Sequence, residues 1–236
     1  MTIGKNTQPI LEVNDLRALL PTSRGMVKAV DNVSLRLHPG RTLGIVGESG
    51  CGKSMLARAI MGLLPAHSIV PSESIVKFKS QNLVSMKKAQ LRQIIGREIA
   101  MVFQDPMTSL NPVMKVGRQI AEVISYHLKV GRRTARKRAV ALLDLVGIPM
   151  ADHRADQYPH QLSGGLRQRV AIAIALACEP KLLIADEPTT ALDVTVQATI
   201  LDLLAAIQQE NQMAMILITH DFGVVAGRTD EAAVMY

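Results

Sequence analysis

An apolar run, Thr42–Val46 (TLGIV), leads directly into Gly47-Glu48-Ser49-Gly50-Cys51-Gly52-Lys53-Ser54. This is the pattern G-x-x-x-x-G-K-[ST], which works only where a buried parallel strand turns sharply into a helix. Glycines let the backbone wrap tightly, so that successive N–H groups converge on phosphate oxygens. The helix tip adds partial positive charge. Lys53 is expected to reach the outer phosphates and the Ser54 hydroxyl to hold Mg²⁺. Gly47, Glu48, Ser49, Gly50, Cys51, Gly52, Lys53 and Ser54 therefore form the candidate nucleotide cradle.

The rest of the chain supplies the fold that such a loop needs. Short strands are expected at Leu11–Val13 and Val33–Leu37, a helix from about Lys53 to Leu64, and a strand over Glu98–Phe103. Lys181–Ala185 and Met213–Thr219 read as buried strands, separated by helical spacing over Val194–Gln209. Ala232–Tyr236 reads as part of another strand. Alternation of this kind argues for a parallel α/β sheet. Residues from about Pro106 to Gln161 differ: they are rich in helix formers and polar side chains, broken at Pro112, Gly117, Gly131 and Gly147. They read as an inserted helical subdomain. The expected segments are 1–105, the first part of the nucleotide-binding core, 106–161, the helical subdomain, and 162–236, the second part of the core.

Composition sets the outer limits. Hydrophobic residues make up 48% of the 236, enough for a sizeable core, but aromatics only 3% and Trp none. Leu, Ile, Val, Ala and Met must do the packing. No apolar run reaches the roughly 20 residues that a membrane-spanning helix needs. The opening MTIGKNTQPILEV has no apolar signal core, so secretion is not expected. Cys51 and Cys178 stand far apart without a CxxC or Cys/His cluster, which points away from a disulfide or metal centre and toward a reducing cytoplasm. The net charge of +7 fits nucleotides, nucleic acid or anionic headgroups, or ordinary solubility. The basic run Arg132, Arg133, Arg136, Lys137 and Arg138 reads as a solvated helix face, with lipid contact as the weaker alternative.

Two further stretches carry chemistry. Leu182-Leu183-Ile184-Ala185-Asp186-Glu187 is an apolar strand ending in two carboxylates. Ligands of open α/β sheets sit at such carboxyl ends. Asp186 is placed to hold Mg²⁺, and Glu187, one residue on, to act as general base toward water. Ser163-Gly164-Gly165 opens a helical run, giving a second helix tip suited to an anion.

LSGG at 162–165, about twenty residues before LLIADEPTTALD, resembles the signature of ABC ATPases. The resemblance implies a P-loop NTPase (RecA-like) α/β core with a mixed sheet and an inserted helical subdomain. It also implies two such domains packed head to tail, each ATP lying between one phosphate loop and the partner's Ser163, Gly164 and Gly165. Gln104, in Val102-Phe103-Gln104-Asp105-Pro106, resembles the Q-loop glutamine that contacts Mg²⁺ and the attacking water. Thr190-Ala191-Leu192-Asp193 resembles the D-loop at the dimer seam. His220, after MAMILIT, resembles the switch histidine on the γ-phosphate. Where many relatives place an aromatic that stacks on adenine, this chain has Arg24. A guanidinium can stack on a base, and a solvated loop arginine is the equal alternative.

GIVGESG at 44–50, FQDPMTSLNP at 103–112, YPHQLSGG at 158–165 and ADEPTTALDV at 185–194 resemble the oligopeptide and dipeptide importer branch. Nickel importers share much of this. Leu166 stands where the branch commonly has Met. The resemblance implies ATP and Mg²⁺ as cofactors. It implies partnership with two transmembrane permease subunits and a second ATPase subunit, and indirectly with an extracytoplasmic solute-binding protein. The expected place is peripheral, on the cytoplasmic face of the cell inner membrane. Relatives continue past the position of Tyr236, some with a cysteine-rich cluster that Cys51 and Cys178 alone cannot form, so a truncated C-terminus is expected. The rivals are an ATPase of the same branch for nickel or another solute, a soluble ABC ATPase on DNA or ribosomes, and a truncated remnant that does not hydrolyse ATP. One cassette and a short helical insertion disfavour the soluble DNA or ribosome ATPase, so nucleic acid is not an expected partner.

Overall fold

The computed structural model describes residues 8–23, 25–105, 109–190 and 192–236. The chain forms two compact units, Met1–Arg92 with Asn211–Tyr236, and Gln93–Glu210.

In the first unit, β1 (Leu11–Thr22) and β2 (Gly25–Leu37) form a long antiparallel hairpin. Leu11, Val13, Leu16 and Ala18 are all fully buried, although the spacing slips by one residue between Val13 and Leu16. The register shifts there, and Asp15 takes a left-handed φ of 48°. A bulge absorbs the extra residue, so all four apolar side chains stay on the core face. β4 (Ile75–Phe78) pairs antiparallel with β1, and β5 (Gln81–Asn82) with β4. Sequence reading found only the ends of this hairpin and missed β4 and β5, because charged and polar residues interrupt their alternation.

The same unit contains a parallel trio. β3 (Thr42–Gly47) lies between β8 (Ala214–Thr219) and β9 (Glu231–Met235). Every residue of β3 and β8 is buried, as expected of strands covered on both faces. Each large aliphatic side chain so placed contributes about 1.5–3 kcal/mol. α1 (Lys53–Ile60) follows the phosphate loop, and α2 (Lys88–Ile94) comes later. α1 is shorter than the sequence suggested, because Met61 caps it and Gly62 turns left-handed at φ 64°.

In the second unit, β6 (Ile99–Val102) pairs in parallel with β7 (Leu182–Asp186). Between them run α3 (Val116–Leu128), α4 (Arg132–Leu145), α5 (Ala151–Ala155), a 3-10 turn at Pro159–Gln161 and α6 (Gly164–Leu176). α7 (Val194–Asn211) follows β7. α3 and α5 approach closely at Gly117, where an added Cβ would stand 2.7 Å from the Ala155 Cβ. Val170, Ala171, Ile172, Ala173, Ala175 and Leu176 are all buried, so the second half of α6 is apolar nearly all round; the helix packs on β6. Asp156 takes two hydrogen bonds from Arg136, at 3.0 and 2.8 Å, and one from Lys115 at 3.3 Å. This ties the end of α5 to α4 and to the entry of α3. Those donors, Arg136 first, lower the Asp156 carboxyl to about 2. Among the described residues no helix is long and apolar enough to cross a membrane.

Candidate functional site

Each unit carries one part of the expected chemistry. In the first, β3 ends at Gly47 and the chain turns through Gly50 (φ 89°) and Gly52 (φ 98°) into α1. Gly52 is the N-cap and offers the helix no capping side chain of its own. At two of these glycines there is no room for a side chain. A Cβ on Gly52 would stand 2.3 Å from the Ala29 carbonyl oxygen, and one on Gly47 2.1 Å from that of Met235. Lys53 is 4% exposed. Its ammonium donates to the carbonyl oxygens of Gly47 and Glu48, at 2.8 Å each, and lies 3.8 Å from the Cys51 Sγ. The loop thus holds its cation with its own backbone. Ser54, next in sequence, sits in the first turn of α1.

His220 belongs to the same unit. Val46 is paired with Thr219 across the β3–β8 ladder. Gly47 and His220 therefore leave adjacent parallel strands at one edge. Asp221 caps the short helix α8 (Phe222–Val225) by accepting from the Gly223 amide at 2.7 Å. His220 is exposed at that turn.

In the second unit, Val102 and Ala185 are paired across β6 and β7, so Gln104 and the Asp186–Glu187 pair emerge at one edge. Asp186 is 2% exposed. Glu187 is half-buried and has a left-handed φ of 45°, a conformation that residues with a Cβ hold only under constraint. Gln104 Nε2 donates to Glu187 Oε2 at 3.1 Å, and the Thr190 hydroxyl donates to the same oxygen at 2.9 Å. Sequence reading expected Gln104 at Mg²⁺ and water and did not foresee its bond to Glu187. Sequence reading placed Thr190 at a dimer seam and did not detect its bond to Glu187; the only signal was the three-residue spacing of a turn.

The signature segment lies in this unit as well. Ser163 is the N-cap of α6, and its Oγ accepts from the Leu166 amide at 3.4 Å. Ser163 and Gly164 are exposed, and Gly165 is half-buried. A Cβ on Gly165 would stand 2.9 Å from Val196 Cγ1, so Gly165 packs closely against the start of α7. Arg167 donates to the Pro159 carbonyl at 2.8 Å and Arg169 to that of Val146. These bonds fasten α6 to the turns before it.

Arg24 lies outside the described residues, as do 106–108 beside Gln104 and Ala191 of the D-loop segment. Both cysteines are free thiols; burial, the largest influence, raises the Cys178 thiol above its usual range.

Comparison with known proteins gives a consistent picture. Residues 30–190 match the ABC transporter family (ABC_tran). The oligopeptide transport ATP-binding protein OppD of Bacillus subtilis is 53% identical over 96% of this chain, which spans 63% of that protein's length. The dipeptide transport ATP-binding protein DppD of the same organism is 51% identical over 97% of this chain and 68% of its own. Among solved structures, the dimeric bacterial ABC transporter cassette MJ0796 superposes with a TM-score of 0.84 at 28% identity, over 95% of this chain and 94% of its own.

Proposed function

Because the chain belongs to the ABC transporter ATP-binding family, we propose that it is the ATP-hydrolysing subunit of an importer for dipeptides and oligopeptides. The solute assignment draws on the peptide-transport relatives, 51–53% identical over nearly the whole chain. The single observation that carries the hydrolysis reading is the Glu187 carboxylate, set by a left-handed turn at the end of a buried strand and bonded by Gln104 at 3.1 Å.

The roles follow from the chemistry of each group. The amides of the phosphate loop and the Lys53 ammonium bind the β- and γ-phosphates. Glu187 accepts a proton as water attacks the γ-phosphorus in line. The bond from that phosphorus to the bridging oxygen breaks, and ADP and phosphate leave. Gln104 orients water, and His220 stabilises charge on the γ-phosphate. Ser54, Asp186 and Gln104 are hard oxygen donors of the type that Mg²⁺ takes, and Asp186 is a buried carboxylate at a strand end. When bound, Mg²⁺ neutralises charge on the phosphate oxygens. Ser163, Gly164 and Gly165 serve the nucleotide of a second ATPase subunit. The MJ0796 cassette, also solved in a post-hydrolysis state bound to ADP and phosphate, is dimeric. Two permease subunits would anchor the pair peripherally at the cytoplasmic face of the membrane, with an extracytoplasmic solute-binding protein acting through them.

Phosphate release from the purified chain tests the reading. Glu187→Gln should keep ATP affinity and lose about 100-fold or more in kcat, the scale of a general base. Equal turnover by the variant and the unmodified chain would refute it.

A further inference from the structure

We propose that Thr190 is a positioning residue for Glu187, setting the carboxylate that takes the proton of water; this rests on the hydrolysis reading above. Two bonds join the residues. The Thr190 amide donates to the Glu187 backbone carbonyl at 3.2 Å, and the Thr190 hydroxyl donates to Oε2 at 2.9 Å. Backbone and side chain of Glu187 are thus both held by one residue three positions on.

Glu187 has need of such a clamp. Its φ of 45° lies where a residue with a Cβ stays only if its surroundings insist. A glutamate side chain also has three torsions to fix, and a general base must sit within hydrogen-bond reach of the proton it takes. Pro188, buried between them, locks its own φ and stiffens the turn. Gln104 donates to the same oxygen, but it is exposed and comes from the segment after β6. Thr190 is half-buried and belongs to the turn that presents Glu187. Its hydroxyl is a donor whose position that turn sets.

Valine matches threonine in shape and keeps the backbone bond, so Thr190→Val removes only the side-chain donor. We expect its kcat for ATP hydrolysis to fall about 10- to 100-fold, the scale of a misplaced catalytic group. The KM and Kd for ATP and the melting temperature should stay close to those of the unmodified chain. Thr190→Ser, which restores the hydroxyl, should recover most of kcat. Should the valine variant fail to fold, Thr190→Ala carries the same comparison. The proposal is overturned if Thr190→Val retains full kcat while Glu187→Gln loses it, or if Thr190→Ser is as slow as Thr190→Val. If the unmodified chain releases no phosphate, or Glu187→Gln is as fast, the hydrolysis reading falls and this proposal with it.

Discussion

The ammonium of Lys53 donates a hydrogen bond to the carbonyl oxygen of Gly47 at 2.8 Å, spanning the phosphate loop from its last turn to its first residue. With the second bond, to Glu48, it holds the cation inside the loop rather than in solvent. The loop is therefore preorganised for an anion, and binding need not first order a free lysine chain.

Lys53→Met should accordingly weaken ATP binding by about 10- to 100-fold, the range for a lost charge-assisted hydrogen bond of about 1.5–3 kcal/mol. Titration of the purified protein with a fluorescent ATP analogue reads this directly. Unchanged affinity would show that the loop amides suffice without the lysine.

Gly52→Ala tests the loop backbone. The residue is left-handed at φ 98°, and an added Cβ would stand 2.3 Å from the Ala29 carbonyl. The conformational cost alone is about 1–3 kcal/mol, and the clash adds to it. Urea denaturation should place the variant at least that far below the unmodified chain, with ATP binding lost in parallel. Gly50→Ala shares the positive φ but meets nothing within 4 Å, so it should lose less stability than Gly52→Ala.

The Arg136–Asp156–Lys115 cluster predicts an acid-sensitive contribution to stability. The folded carboxyl is held at about 2, below its ordinary 3.8, chiefly by the hydrogen bond from Arg136. A depressed folded value stabilises the protein fully above the unfolded value, and that stabilisation fades as pH falls from about 4 through about 2. Both partners are substantially exposed, at 43% and 48%, so the effect is about 1 kcal/mol or less. Denaturation of Asp156→Asn beside the unmodified chain should show a gap at pH 6 that closes toward pH 2. A gap of constant size across that range would exclude the linkage.

The buried parallel strands were legible in the sequence because they are short and apolar and end at glycine or a polar residue. β3, β7 and β8 lie within a residue or two of their expected bounds. The phosphate loop was equally plain, since its chemistry demands fixed residue types at fixed spacing. The antiparallel hairpin was not. Asp15, Asn32 and the bulges between Val13 and Leu19 break the alternation on which strand reading relies. β4 and β5 have four and two residues, too few to show a period. The contact between Gln104 and Glu187 was not foreseen, because 83 residues separate them in sequence. The bond from Thr190 and the close approach of Met235 to Gly47 depend on backbone geometry that no residue pattern announces.

The left-handed turn at Glu187 sets two demands against each other at one position. Glycine would relax the backbone there, and asparagine or aspartate would tolerate it better than glutamate. None of them offers a carboxylate of glutamate's reach. Substitutions that ease the local conformation should thus be the ones that silence the reaction, so selection for sturdiness and selection for turnover would pull this residue in opposite directions.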